Sequence, residues 1–139
     1  MSGFLLDTNV ISELTKDAPH SRVTAFLAGA EDLWLSAVVL HELDFGVALL
    51  PPGRRREGIR STLSAFTSEY ADRVLPVGQS EAARAAALRA RAHRAGRVLD
   101  MGDALIAGTA AAHDLAIATR NVRDFDGLEL DVVNPWDAP

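Results

Sequence analysis

Three acidic residues stand where chemistry is possible. Asp7 directly follows the short apolar run Gly3 to Leu6, Glu42 lies in a long apolar stretch about two helical turns after Ser36, and Asp103 opens a segment rich in Ala, Leu and Ile. Thr119 and Asn121 stand at the end of a further apolar run that begins at Leu115. Read on a helix, Glu42 has Val38, Val39, Phe45 and Gly46 three or four positions away. Its carboxylate then projects from an apolar face, where an unpaired charge costs several kcal/mol. Asp103 shares a face with Ile106, Ala107 and Ala110, and Asp100 precedes it by one turn.

Each acid alone has an ordinary explanation. Asp7 suits a helix N-cap, Asp103 suits the positive end of a helix, and a buried Arg partner would account for Glu42 or Asp103. Taken together, three semi-buried acids that converge on one sheet edge are better explained by a hard cation than by unrelated ion pairs. Mg²⁺, with Mn²⁺ as a substitute, prefers oxygen ligands, keeps several waters and needs only one or two carboxylates plus a substrate phosphate. Such an ion makes a hydroxide near neutral pH and neutralises charge building on a phosphate under in-line attack. Thr8, Ser36, Thr119 and Asn121 could orient waters or carboxylates around it, or serve equally well as helix caps.

Other chemistries lack their residues. There is no G-x-x-x-x-G-K-[ST] phosphate loop, and the only lysine is Lys16. The acid after the first run continues as Asp-Thr-Asn rather than with a second acid, and no G-x-S-x-G elbow occurs. His20, His41, His93 and His113 show no metal-ligand spacing.

The elements that must hold these residues follow from the hydrophobic pattern. Buried strands are predicted at 3–6, 33–36 and 115–119, and weaker ones at 74–77 and 130–133. Helices are predicted from just after Asp7, from Pro19 to Gly29, over 37–50 as an all-round apolar and therefore buried helix, and over 54–70, 79–95 and 101–113. In 101–113 the small residues would let neighbouring backbones approach closely. Residues 120–127 read as a polar loop. Alternating helices and short apolar strands favour a parallel sheet with helices on both faces, which binds ligands beyond the carboxyl ends of its strands.

Size and composition agree. The chain has 139 residues, 48% apolar and 24% charged, which fits one domain spanning 1–139. Cysteine is absent, so thiolate zinc sites, disulfides and Cys nucleophiles are excluded and a cytoplasmic location is expected. No stretch reaches the roughly 18 apolar residues of a membrane span, and the N-terminal run is too short for a secretory signal. The net charge of −5 argues at first sight against nucleic acid, but the charge is segregated. Residues 1–50 carry 2 basic and 7 acidic side chains, 51–99 carry 10 and 4, and 100–139 carry 2 and 8. The arginines at 54–60 and 84–97 could track phosphates or simply form a solvated helix face.

The segments Leu-Leu-Asp7-Thr8-Asn9-Val-Ile-Ser-Glu, Leu-Ser36-Ala with His41-Glu42-Leu, Asp103-Ala-Leu-Ile-Ala and Ala-Thr119-Arg-Asn121-Val-Arg-Asp124-Phe occur in order along the chain. With the ending Asn134-Pro135-Trp136 they resemble the PIN-domain ribonucleases, specifically VapC-like toxins of toxin–antitoxin pairs. The resemblance implies an α/β/α sandwich with a mostly parallel sheet and a Mg²⁺-dependent endoribonuclease restrained by a cognate antitoxin. It also implies an RNA substrate and a homodimer. Asp7, Glu42 and Asp103 match the family acids, with Asp7 and Asp103 holding the principal metal and Glu42 positioning or deprotonating water. The fourth family acid aligns with Asn121, which either serves through its carbonyl or a water or is replaced by Asp124. Thr8, Asn9, Ser36 and Thr119 fall around the acids as supporting groups. The alternatives are a PIN-fold binding module without catalysis and a metal-dependent DNA nuclease.

Overall fold

Strands that are apolar on both faces need a covering layer on each side, and the short runs of this chain meet that need with helices between them. The computed structural model describes residues 3–137. Its strands are β1 (Phe4–Leu6), β2 (Leu33–Ser36), β3 (Val74–Leu75), β4 (Ala116–Ala118) and β5 (Val132–Val133). The helices are α1 (Thr8–Ser12), α2 (Ser21–Gly29), α3 (Ala37–Ala48), α4 (Arg54–Glu69), α5 (Gln79–Arg94) and α6 (Met101–Ala112), which with the sheet make an α/β/α sandwich. Every strand pair is parallel, in the order β3-β2-β1-β4-β5. Leu5, Leu6, Leu35, Ile117 and Ala118 are fully buried at its centre.

The strand order places the site. From β1 the chain steps outward to β2 and β3, then returns to lay β4 against the other side of β1. The direction of winding reverses between β1 and β4, and a crevice opens there beyond the strand ends. Leu6 pairs with Ala118 in the register of these two strands, so the next residues, Asp7 and Thr119, leave the sheet side by side.

Several expectations need correction. Helix α3 is not buried all round: Val39, Leu43 and Val47 face the core, whereas Phe45 is 56% and Leu49 68% exposed. Its composition registers hydrophobicity but not which face finds a partner. Pro19 lies outside α2, whose N-cap is His20, the ring accepting from Arg22 N–H at 3.2 Å. The polar 120–127 segment contains a 3-10 turn, Val122–Phe125, anchored by the buried Phe125. The two outer strands are each only two residues long.

Helix α5 ends where Gly96 adopts φ +78°, with Gly96 N–H bonded to His93 O and Arg97 N–H to Ala92 O. This paired closure satisfies the last carbonyls. The expected close approach of small residues occurs between α5 and α6. A Cβ on Gly108 would lie 2.5 Å from Ala85 N and 2.6 Å from Glu81 O, both backbone atoms. Gly108→Ala should therefore force the helices apart and cost about 1–3 kcal/mol. Urea unfolding should show a lower midpoint at unchanged slope; an unchanged midpoint would mean that the helices separate freely.

Candidate active site

The site begins with the residue that leaves β1. Asp7 is extended (φ −76°, ψ 158°), caps α1 by accepting from Thr8 N–H at 2.8 Å, and is only 5% exposed. It is thus the N-cap the sequence allowed, and more. Its Oδ2 accepts from the Thr119 hydroxyl at 2.7 Å and from Asn9 Nδ2 at 3.2 Å, while its backbone N–H reaches Ala118 O at 2.9 Å. Thr119, fully buried, also accepts from Asn121 N–H at 3.0 Å, and Asn9 Oδ1 accepts from Arg120 N–H at 3.1 Å. These bonds knit the ends of β1 and β4 into one rigid edge. Burial pushes the Asp7 carboxyl above its ordinary range, against the opposing pull of these donors.

Glu42 reaches the same edge from the half-buried side of α3, and its Oε1 accepts from the Thr8 hydroxyl at 2.5 Å. Its Oε2 lies over the start of α6, where a Cβ on Gly102 would approach it to 3.1 Å. Glycine at 102 makes room for this carboxylate. Asp103, half-buried one residue on, has its carboxyl pushed up to about 7. Burial is the largest cause, followed by the charges of Asp100, Asp7, Asp124 and Glu42.

The remaining predicted residues divide. Thr8, Asn9 and Thr119 bond directly to Asp7 or Glu42. Ser36 is fully buried and caps α3 through Val39 N–H at 3.1 Å, with no bond to any of the acids. Asn121 contributes its backbone N–H to Thr119, and its exposed side chain makes no hydrogen bond among the described residues. Asp124, also exposed, sits on the 3-10 turn, and its charge raises both Asp7 and Asp103. Asp100 was seen in the sequence only as a neighbour of Asp103. It caps α6 by accepting Asp103 N–H at 2.8 Å and is the strongest charge acting on Asp103.

A buried Arg partner for each acid does not occur: among the described residues no Arg or Lys pairs with Asp7, Glu42, Asp103 or Asp124. Buried acids elsewhere behave differently. Glu13 pairs with Lys16 at 2.8 Å and Glu81 with His113 at 2.8 Å. The Lys16 bond holds Glu13 below its usual range, and backbone N–H groups with His113 do the same for Glu81.

An all-oxygen, uncompensated set of this kind suits a hard cation. Among the described residues, no three carboxylate or imidazole groups close tightly around one point. A cation bound here would therefore rest on fewer than three protein carboxylates and take water in its other positions, a ligand set that Mg²⁺ accepts. Open depressions flank the acids, one of about 670 Å³ bordered by Glu42, Phe45 and Met101, the other of about 500 Å³ bordered by Arg120, Arg123 and Asp124.

Comparison with known proteins bears on the fold and the family. Residues 4–129 match the PIN domain family. The chain is 40% identical to "VapC ribonuclease Y4jK" of Sinorhizobium fredii, over 96% of this chain and 97% of that protein. It is 39% identical to "Toxin FitB" of Neisseria gonorrhoeae, over 95% and 97% of the two chains. The fold superposes on the structure of FitAB bound to a DNA fragment with a TM-score of 0.91 at 35% identity, covering 98% of this chain and 97% of that one. It superposes on DNA-bound VapBC from Salmonella typhimurium at 0.79 and 26% identity, covering 97% and 99%.

The raised Asp103 has a thermodynamic consequence. Between about pH 4 and 7 the folded protein holds this proton more tightly than the unfolded chain, so metal-free stability falls as pH rises through that window and the deficit is complete above it. Among the described residues Asp103 accepts no side-chain hydrogen bond whose loss would offset the gain from its neutralisation. Discounted for partial exposure, Asp103→Asn should therefore stabilise the metal-free protein by about 1–2 kcal/mol at pH 8. The difference should vanish near pH 4. Urea unfolding in EDTA at the two pH values checks this, and equal stability at pH 8 would show that neither burial nor the neighbouring acids disfavours the charged form of Asp103.

Proposed function

The chain belongs to the PIN domain family, with VapC-type ribonuclease toxins as its relatives, and from that premise we propose that it is a Mg²⁺-dependent endoribonuclease toxin held inactive by a cognate antitoxin. One observation carries the reading: the charges of Asp7, Glu42 and Asp124 all act on Asp103, and none of the four acids has a basic partner among the described residues. Asp7 and Asp103 would hold Mg²⁺, or Mn²⁺ in its place. When bound, the ion offsets charge at the scissile phosphate and makes nearby water more acidic.

The protein's own groups do the rest. Thr119 and Asn9 hold Asp7 in a single orientation. Thr8 occupies Oε1 of Glu42, which leaves Oε2 to take a proton from the attacking water. Water attacks phosphorus in line and the bond to the 3′ oxygen breaks, leaving a 5′-phosphate and a 3′-hydroxyl. Asp124 takes the fourth acidic position in this reading, because its charge reaches Asp7 and Asp103, while the neutral Asn121 side chain is left to act only through its carbonyl or a water.

The ten arginines of residues 51–99 separate into two groups. Arg56, Arg60, Arg73, Arg84, Arg89, Arg91 and Arg97 bond within the protein. Arg54, Arg55 and Arg94 are exposed and make no such bond among the described residues, as is also true of the Arg123 side chain beside Asp124, so these are left to meet RNA phosphates. The uncovered apolar side chains Phe45, Leu49, Val98 and Met101 offer area for the antitoxin or for a second copy in a homodimer. One similar solved structure, VapBC-5 from Mycobacterium tuberculosis, is a member of the VapBC family of toxin–antitoxin systems.

Purified protein should be offered structured RNA, single-stranded RNA and single-stranded DNA, each with Mg²⁺ or EDTA. RNA cleavage is expected in Mg²⁺ alone, with rates at least about 100-fold lower for Asp7→Asn and Asp103→Asn. Cleavage of DNA alone would make it a DNA nuclease. No metal-dependent cleavage of any substrate would leave a binding module.

A further inference from the structure

Arg97 holds nothing acidic. Its Nη1 donates to the carbonyl of Asp126 and its Nη2 to the carbonyl of Arg123 at 2.5 Å. These two carbonyls bracket Asp124 on the 3-10 turn Val122–Phe125. The anchor itself is firm, because Arg97 N–H closes the end of α5 on Ala92 O at 2.9 Å. Three residues later Asp100 caps α6 and leads to Asp103. Helix α5 grips the same region twice more, through Arg89 Nε on Leu99 O at 3.1 Å and Arg91 against Glu129 at 3.5 Å.

The choice of acceptor matters. A guanidinium on the Asp124 carboxylate would cancel its charge, whereas one on the flanking carbonyls fixes the turn and leaves the carboxylate free. The same turn is tied to the Asp7 edge from its other side: Asp124 N–H donates to Asn121 O at 3.1 Å, Asn121 N–H to the Thr119 hydroxyl at 3.0 Å, and that hydroxyl to Asp7 Oδ2 at 2.7 Å. A planar fork can span two carbonyls at fixed spacing; the compact ammonium of Lys cannot reproduce that geometry.

We propose that Arg97 is a positioning residue: by clasping the carbonyls of Arg123 and Asp126 it holds Asp124 at the Asp7 and Asp103 edge and thereby sets the site's affinity for a divalent cation. The proposal rests on the reading of these acids as cation ligands given above. It also has a distinctive sign. Removing a positive charge near a cation site should, by electrostatics alone, strengthen cation binding, whereas loss of the clasp should weaken it.

Mn²⁺ binding to the full-length protein, followed by calorimetry and by the spectrum of free Mn²⁺, provides the test for wild type, Arg97→Met, Arg97→Lys, Asp124→Asn and the Arg97→Met/Asp124→Asn double variant. Both Arg97 variants should bind Mn²⁺ about tenfold more weakly, the size seen when groups behind metal ligands are lost. The double variant should bind no more weakly than Asp124→Asn alone. The Mg²⁺ concentration for half-maximal RNA cleavage should rise in step, while the rate at saturating Mg²⁺ changes less. If Arg97→Met does not fold, Arg97→Lys, which keeps the charge, carries the comparison. Unchanged or tighter Mn²⁺ binding by the folded Arg97 variants, or an equal further loss in the double variant, overturns the clasp. Failure of the wild type to bind Mn²⁺ overturns the cation reading itself, and the clasp with it.

Discussion

Like charges crowded on one sheet edge, without a basic partner, are the constraint around which this structure is arranged. Asp7, Glu42, Asp103 and Asp124 arrive from four separate elements, and Asp103 feels the charge of the other three together with that of Asp100. The protein has thirteen arginines, yet none pairs with any of the four among the described residues. Glu13 and Glu81 show that the chain readily satisfies a buried carboxylate when nothing else is required of it. On the proposed reading, the uncompensated charge at this edge serves a ligand that brings positive charge, and such a cost persists only where the rest of the fold over-determines it.

The supporting structure meets that demand in neutral currency. Asp7 is held by a threonine hydroxyl, an asparagine amide and a backbone N–H, and Glu42 by a second threonine hydroxyl. Arg97 takes hold of carbonyls and not of carboxylates. Gly102 and Gly108 supply clearance, the first for the Glu42 carboxylate and the second for the backbone of α5. The reversal of winding between β1 and β4 makes all of this possible, since it opens the edge at which Asp7 and Thr119 emerge together. The net charge of −5 is accordingly no argument against a nucleic-acid substrate: part of the acidity belongs to a proposed cation site, whose bound ion would invert the local field.

Much of this was legible in the sequence because it rests on short-range pattern. Continuous apolar runs ending at Asp7, Ser36 and Thr119 marked the parallel strands, and the Ala and Gly content of α6 announced a close approach to some neighbouring backbone, which the structure shows to be that of α5. Glu42 and Asp103 stood out as charges on apolar faces. What escaped depends on through-space partners. Ser36 could not be told from a site residue, because a hydroxyl at a strand end suits a helix cap and a coordination sphere equally. The exposure of Phe45 and Leu49 was hidden because hydropathy reports a helix's composition but not its neighbours. Asp100 looked like a bystander, and the roles of Gly102 and Arg97 depend on groups 60 and 26 to 29 positions away.

The central claim is that the acids are buried and crowded for the sake of a cation, and the ionisation of Asp103, raised first by burial and then by the charges around it, reports on both. Carbon-13 NMR titration of the aspartate carboxyls in EDTA, with Asp103→Asn to assign the signal, should find Asp103 titrating at about 7. Addition of Mg²⁺ should move that midpoint below the ordinary carboxylate range, because an adjacent cation favours the charged form. A midpoint near 4 that Mg²⁺ leaves unmoved would contradict both the crowding and its purpose.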